Sequence, residues 1–527
     1  MGVAVPLSVA SSLLIVASFP PFDLGFLAWF ALSPLFCALR TLRERGPLAR
    51  GGVGFLFGFL NVLTVYYYGT RMAEVQHVKC LLIVFIAALP YLAFGVLYRT
   101  ACRERGAWDV LLVPALWVAL EYARSNAFFL AWPWTLLGHS QHRCLPVIQV
   151  ADLTGVYGIS FLLVSANQAL SRLPDLLRGR RDRVLSGGRG GPGYAAAIRF
   201  LAVAVAVVPV FSYGWHRLGA PEGGRRLRVA LVQPNILTRN EMSLAEQGEH
   251  LRKYAALTRE AAREKPDLVV WPASSLPAPI TFLNVRIAIR QVAVESGAYL
   301  LVGGAGLEKD RPTQERNTVH ANSEFLLSPT GRFEASYHKI LLLPFNEYLP
   351  LEGTIRWPSW VTGLKWSFVP GKQFTLFQVR GTRFGAPICW ENFFPDFFRR
   401  FVAAGADFMV TVTNESSFGE GSPAPYRQTL AMNVFRAVEN RVAIARAAPT
   451  GISAFISPAG EVVGEVRDAR GNALFVPGVL VRDIPLSGEK TFYTLHGDVF
   501  AYGAIAAAVL AVLATWIFDH SASKTKG

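Results

Sequence analysis

Residues 244–271 read LAEQGEHLRKYAALTREAAREKPDLVVW. A helical pattern over Leu244–Glu264 runs into a short β-rich run at Leu268–Trp271. The alternation continues on both sides. Val229–Val232 precedes it, Tyr299–Val302, Ala386–Cys389 and Phe408–Thr413 follow as further short apolar runs, and Tyr426–Arg441 carries a second helical pattern. Strands alternating with helices predict a layered α/β domain. Residues 225–485 hold the whole pattern, and a segment of ~260 residues is long enough to bury a full core.

The flanks differ in kind. The chain has 527 residues, of which 52% are hydrophobic and 17% charged, against about 25% charged in an average soluble domain. This excludes a disordered chain and argues against an ordinary soluble enzyme. A helix needs roughly 20 apolar residues to cross a bilayer. Stretches of that kind lie near Val3–Phe19, Leu24–Leu42, Gly52–Tyr68, Cys80–Tyr98, Asp109–Tyr122, Gly155–Leu170, Arg199–Trp215 and Gly497–Phe518. They predict a transmembrane domain of seven spans over residues 1–220 and a last transmembrane helix at 497–518. The first stretch has no basic n-region and is followed at once by another apolar segment, so it reads as an anchor rather than a cleaved leader. Glu121 and Arg124, in or beside the fifth stretch, are expected to face the protein interior.

The formal net charge is +15, and its placement is topological. Alternate loops carry Arg40, Arg43, Arg45 and Arg50, then Arg99, Arg103 and Arg105, then a flexible basic loop at Arg178–Gly193, and the tail adds Lys524 and Lys526. The intervening loops hold only Arg71, Lys79, Arg124 and Arg143. By the positive-inside rule the rich side is cytoplasmic, which puts both termini inside and the α/β domain on the outer face. No nucleic-acid partner is expected. The five cysteines match no zinc or CxxC spacing, so neither a metal nor a disulfide framework is signalled.

Cys389, in APICWENFFP, follows a β-like run and precedes a polar, aromatic turn. A cysteine at such a strand end is a candidate nucleophile, reactive as the thiolate that a nearby cation favours; the plain alternative is a small buried apolar side chain. Lys339, before the leucines of SYHKILLLPFNEYLP, suits charge donation to a thiolate or an oxyanion, or is a snorkelling strand-end lysine. Glu347, flanked by prolines, and Glu391, two residues past Cys389, are candidates to orient a lysine or shuttle a proton, or are turn-capping carboxylates.

Further segments share this look: SFPPFDLGFLAWFALSPLF, WPWTLLGHSQ and IQVADLTGVYGISFLL in the N-terminal half, and RVALVQPNI, PDLVVWPAS, VTNESSFG and NRVAIARAAPTGISAFISPAG beyond it. In order and spacing the chain resembles the apolipoprotein N-acyltransferases, the membrane-embedded branch of the nitrilase (carbon–nitrogen hydrolase) superfamily. The resemblance implies a multi-pass helical bundle plus an α/β nitrilase-like four-layer α-β-β-α sandwich, residues 225–485 being an extracytoplasmic catalytic domain. It implies a Glu–Lys–Cys triad with Cys389 as nucleophile, Lys339 as the lysine and Glu347 as the second glutamate beside it. Trp390 and Glu391 follow the nucleophile as the family's aromatic and acid do. A backbone N–H after Cys389, with Lys339, would form the oxyanion hole, and Asn414 belongs to the same oxyanion and substrate-binding group. The implied reaction moves an acyl chain from a glycerophospholipid to the α-amino group of a diacylated apolipoprotein through a cysteine thioester, without cofactor or metal. The implied setting is the bacterial inner membrane, and a monomer is expected.

One departure touches the chemistry. The family's general base is the Glu of a WPE motif, whereas Trp271-Pro272 is followed here by Ala273. Three readings stay open: a homologue in which Glu347 or Glu391 has taken over proton transfer, a catalytically silent lipid- or lipoprotein-binding relative, and an introduced substitution. A membrane-anchored amidase is a further alternative. A second departure follows the Thr411 strand, where Asn414-Glu415-Ser416-Ser417-Phe418 lacks the family's usual tryptophan. Trp357, Trp360, Trp366 and Phe368 suit a loop dipping into the membrane interface or ordinary loop packing.

Overall fold

The structure is a computed structural model describing residues 2–69, 77–102, 107–175, 192–220, 224–237, 242–307, 320–358, 367–419 and 422–524. It divides into two compact units, one formed by the described residues of 2–219 with 498–524, the other by those of 220–497. The basic loop at 178–191, and Trp360 and Trp366, lie outside the described residues.

The first unit is helical. Among the described residues, five helices are long and apolar enough to cross a membrane, at Pro47–Thr64, Leu81–Ala101, Ala151–Asp175, Tyr194–Leu218 and Val499–Ile517. The other three apolar stretches form shorter elements: Ala4–Ala17 has 14 residues, Asp109–Ser125 has 17, and the stretch expected at Leu24–Leu42 is broken into a 3-10 turn, Gly25–Trp29, and a helix, Ser33–Thr41. The break has a long-range cause. Asn167, buried in the helix Ala151–Leu170, accepts the Leu32 and Ser33 N–H groups on Oδ1 at 2.7 and 3.0 Å, so a side chain from elsewhere satisfies donors that a continuous helix would have used itself. Glu121 and Arg124 are both buried, and Glu121 Oε1 accepts the Leu137 N–H at 2.7 Å.

The second unit holds β1 (Arg226–Gln233), β2 (Leu268–Val270), β3 (Tyr299–Leu307), β4 (His320–Leu327), β5 (Phe333–His338), β6 (Leu376–Val379), β7 (Thr382–Gly385), β8 (Phe408–Val412), β9 (Ile444–Ala447), β10 (Ala454–Ile456), β11 (Val462–Glu465) and β12 (Gly478–Pro485). They form two six-stranded sheets, ordered β12-β1-β2-β3-β4-β5 and β11-β10-β9-β8-β7-β6. The sheets meet face to face, β1 lying against β9 and β12 against β10. Central strands such as β2 (LVV) and β8 (FMVTV) are buried at every residue, which is why they read as unbroken apolar runs rather than alternating ones.

On the first sheet, Val269, Trp271, Leu300, Val302, Phe325 and Leu327 bury one face under the helices Leu244–Ala262 and Leu283–Ser296. The first of these starts at a capping box, Ser243 accepting from the Glu246 N–H while Glu246 accepts from the Ser243 N–H, two orphan donors satisfied at once. The second ends at Gly297 with φ 65°, a left-handed turn that glycine adopts freely. Pro395–Ala403 and Ala424–Asn440 are the helices associated with the second sheet. The domain is therefore an α/β fold of two packed sheets flanked by helices.

Candidate active site

The site forms where loops leave both sheets. β7 ends at Gly385, and the run Ala386–Cys389 rejoins the sheet only through a bridge between Ile388 and Val412. A 3-10 turn, Cys389–Phe393, begins at once. Cys389 has φ 51°, the left-handed region that L-residues with a side chain seldom enter. Such a backbone at a strand-to-turn junction lifts the side chain out of the sheet. Cys389 keeps part of its surface open while its neighbours Ile388 and Trp390 are buried.

Lys339 follows β5 and its N–H donates to Asn322 O at 2.8 Å. Its ammonium is 2% exposed and donates to Glu347 Oε2 at 2.7 Å. Glu347 is fully engaged, Oε2 also accepting the Leu343 N–H at 2.6 Å and Oε1 the Asn322 Nδ2–H at 2.9 Å. Burial opposes the Lys339 charge, but Glu347, Cys389 and Glu391 outweigh it and raise the lysine above its ordinary value. It is an ammonium throughout the physiological range, near enough to Cys389 for the two to interact electrostatically.

Glu391 is 0% exposed and ties the two sheets' loops together. Oε1 accepts Ile340 N–H at 2.6 Å, Leu341 N–H at 3.0 Å and the Tyr337 hydroxyl at 2.8 Å; Oε2 accepts Ile388 N–H at 2.8 Å. Burial pushes its carboxyl up to about 7, against the pull of Lys339 and of these donors. The residues adjoining Lys339 and Cys389 are thus pinned to one carboxylate. Trp390 packs its ring edge-on against Phe393 and Phe394 at 5.5 and 5.4 Å, forming a wall rather than offering a polar group.

For the Cys389 thiol, burial is the largest influence and raises it; Lys339 and the Asn414 backbone N–H lower it, Glu347 and Glu415 raise it, and the net direction is upward. The lysine does favour the thiolate as its position suggests, but desolvation wins. The resting nucleophile is a thiol and needs a proton acceptor. Asn414 reaches the sulfur through its backbone, while its side-chain oxygen accepts from the Ser416 hydroxyl at 2.7 Å. Behind it, Glu415 pairs with buried Arg446 at 2.6 Å.

The structure brings Cys389, Lys339, Glu347, Glu391 and the Asn414 backbone together. Every carboxylate oxygen of Glu347 and Glu391 already accepts at least one hydrogen bond. Ala273 is 2% exposed, just past β2, and Ser274 beside it has φ 55°. Trp357 is held within its own loop, Nε1 donating to Pro350 O at 2.7 Å and the ring meeting Phe345 edge-on at 5.0 Å. One buried carboxylate near Ala273 escaped the sequence reading, Glu324 on β4. Its only signal was an acid inside the strand HANSEFLL.

Two family models cover the chain, the apolipoprotein N-acyltransferase N-terminal domain over residues 11–169 and the carbon–nitrogen hydrolase over residues 228–491. The apolipoprotein N-acyltransferase of Geobacter metallireducens is 36% identical, covering 96% of this chain and 94% of that protein. The chain belongs to the apolipoprotein N-acyltransferase family. Other members are those of Chlorobaculum tepidum, 28% identical over 96% of each chain, and Thermotoga maritima, 27% identical over 99% of this chain and 95% of that one. Among solved structures an amidase from Nesterenkonia sp. is similar at 23% identity, covering 49% of this chain and 90% of that one, with TM-score 0.34. Apolipoprotein N-acyltransferases are acyltransferases of the carbon–nitrogen hydrolase superfamily. The family and the five apolar helices make this a bacterial membrane protein.

Proposed function

We propose that this chain N-acylates the α-amino group of the diacylglyceryl-cysteine of lipoproteins, taking the acyl chain from a glycerophospholipid through a thioester on Cys389. The observation that carries the reading is the convergence on one sulfur of a buried ammonium, Lys339, and a backbone N–H, Asn414. In the first half, Cys389 attacks the ester carbonyl. Lys339 and backbone N–H groups balance the developing oxyanion, and such preorganised donors supply the largest part of most acyl-transfer rate enhancements. The lysophospholipid leaves and a thioester remains. In the second half the lipoprotein amine attacks the thioester and releases the sulfur. Glu347 acts by fixing Lys339, and Glu391 by fixing the loops on either side of the nucleophile.

Membrane spans over 1–220 and 497–518 would hold the 225–485 domain at the outer face of the bacterial inner membrane, with both termini cytoplasmic, where two lipid-anchored substrates meet. A monomer suffices for this chemistry, since every group named belongs to one chain.

Incubation of the purified chain with fluorescent phosphatidylethanolamine tests the reading. A hydroxylamine-labile fluorescent adduct that disappears in Cys389→Ala supports it. Lipid binding without an adduct would favour the silent binder that Ala273 suggests. Turnover of a small soluble amide without lipid would favour an amidase.

A further inference from the structure

The carboxylate that the β2 end lacks at Ala273 has a counterpart two strands away. Glu324 pairs with Gly303 in the antiparallel register of β3 and β4. A methyl added to Gly303 would collide with a Glu324 carboxylate oxygen on one side and lie 2.9 Å from both Ala273 Cα and Ser274 N on the other. The Glu324 carboxylate and the Ala273 backbone therefore border the same small space, which stays open because residue 303 has no side chain. Val302 and Phe325 turn to the helix-covered face, so by the strand alternation Gly303 and Glu324 turn to the other face, toward the second sheet, which carries Cys389. Asn322 shares that face of β4, about 7 Å along the strand, and it grips Glu347, the partner of Lys339.

Glu324 is 0% exposed, and neither carboxylate oxygen has a hydrogen-bond partner among the described residues. Leaving a buried carboxyl without a partner is costly, and burial raises it well above the usual carboxylate range. Each oxygen of Glu347 and Glu391 accepts a hydrogen bond, whereas both oxygens of Glu324 are without one among the described residues.

We infer that Glu324 is the general base of this chain, its carboxylate delivered from β4 into the space that a glutamate at position 273 would otherwise fill. The inference rests on the acyl-transfer reading above. In the first half the ionised form of Glu324, which burial disfavours in the resting site, takes the proton from the Cys389 sulfur as the S–C bond forms, and returns it to the glycerol oxygen as the C–O bond breaks. In the second half it takes a proton from the neutral attacking amine as the N–C bond forms, and returns it to the departing sulfur as the S–C bond breaks. Each half ends with Glu324 ionised again, and no further reactant is required.

The test is single-turnover acylation of Cys389 by fluorescent phosphatidylethanolamine in the full chain and in Glu324→Gln, Glu324→Ala and the double variant Ala273→Glu/Glu324→Ala. Losing a general base costs about 10²–10⁴-fold, and that loss is expected in both single variants. Glu324→Gln keeps the side-chain shape, and Glu324→Ala removes two unpartnered oxygens, so the thermal midpoint of the alanine variant should hold or rise while activity falls. The double variant is expected to recover at least tenfold over Glu324→Ala. A wild-type rate in Glu324→Gln overturns the assignment, and so does a loss that the double variant leaves unrecovered. Absence of any Cys389 adduct in the unsubstituted chain sinks the acyl-transfer reading itself, and this assignment with it.

Discussion

The Lys339 ammonium and the Glu347 carboxylate meet at 2.7 Å with both side chains almost fully buried. They are eight residues apart, and the same Glu347 oxygen that receives the lysine also receives the Leu343 N–H. The loop between them is therefore folded around the pair. A lysine so held keeps its charge and its direction, which a flexible ammonium does not.

Lys339→Met should keep the packing of the aliphatic stem and remove the charge. Losing one oxyanion donor costs about 10²–10³-fold in rate, and Cys389 acylation measured in a single turnover should fall by that much. Glu347→Gln should cost more in stability, because it leaves the buried ammonium without its counter-charge, a loss of about 3–5 kcal/mol. A near-normal acylation rate in Lys339→Met would remove the lysine from the chemistry.

Glu391 gives a prediction of a different kind. Its carboxylate accepts three backbone N–H groups and the Tyr337 hydroxyl. In Glu391→Gln one oxygen becomes an NH₂ facing N–H donors, so the thermal midpoint and the acylation rate should fall together. Tyr337→Phe removes a single hydrogen bond to a charged acceptor and should cost about 1.5–3 kcal/mol, with a smaller loss of rate. An active, stable Glu391→Gln would show that the two loops need no common anchor.

What could be read from the chain ahead of its structure follows from how local each signal is. Leu244–Ala262 announces itself by its periodicity and its capping residues, and β2 and β8 by unbroken apolar runs between turns. Cys389, Lys339 and Glu347 sit in distinctive local sequences, so their candidacy was visible. Their mutual geometry was not, since Glu391 reaches Ile340 across 51 residues. The break inside the apolar stretch Leu24–Leu42 leaves no mark in its own sequence because it involves Asn167, over 130 residues away. Glu324 was missed for the same reason. Nothing in HANSEFLL states that this strand pairs with Gly303, or that Gly303 borders Ala273.

Arg446 and Glu415 form a buried ion pair behind the nucleophile. The guanidinium also bonds Asn433 Oδ1 at 3.0 Å and Ile452 O at 3.1 Å. Arg446→Met leaves Glu415 charged and unpaired in the interior, a cost of about 3–5 kcal/mol. Because Glu415 adjoins Asn414, whose N–H reaches the Cys389 sulfur, the rate should fall as well. Chemical denaturation and single-turnover acylation measure the two effects. A variant with unchanged stability would mean that the pair contributes nothing net.

The Cys389 thiol provides a pH test. Burial raises it, and Lys339 and the Asn414 N–H bring it only part of the way back from a value above the ordinary 9.0. Alkylation of Cys389 by iodoacetamide should therefore show a midpoint above pH 9. Lys339→Met should move that midpoint further up, because it deletes a cation favouring the thiolate; Glu415→Gln should move it down, because it deletes an opposing charge. The linkage has a definite sign. The folded chain holds this proton more tightly than the unfolded one, so the thiol's contribution is intact below pH 9 and stability falls as pH climbs from there through the folded value. A wild-type midpoint below 9 would show that the lysine outweighs burial, and the resting nucleophile would then be a thiolate that needs no base for its own attack.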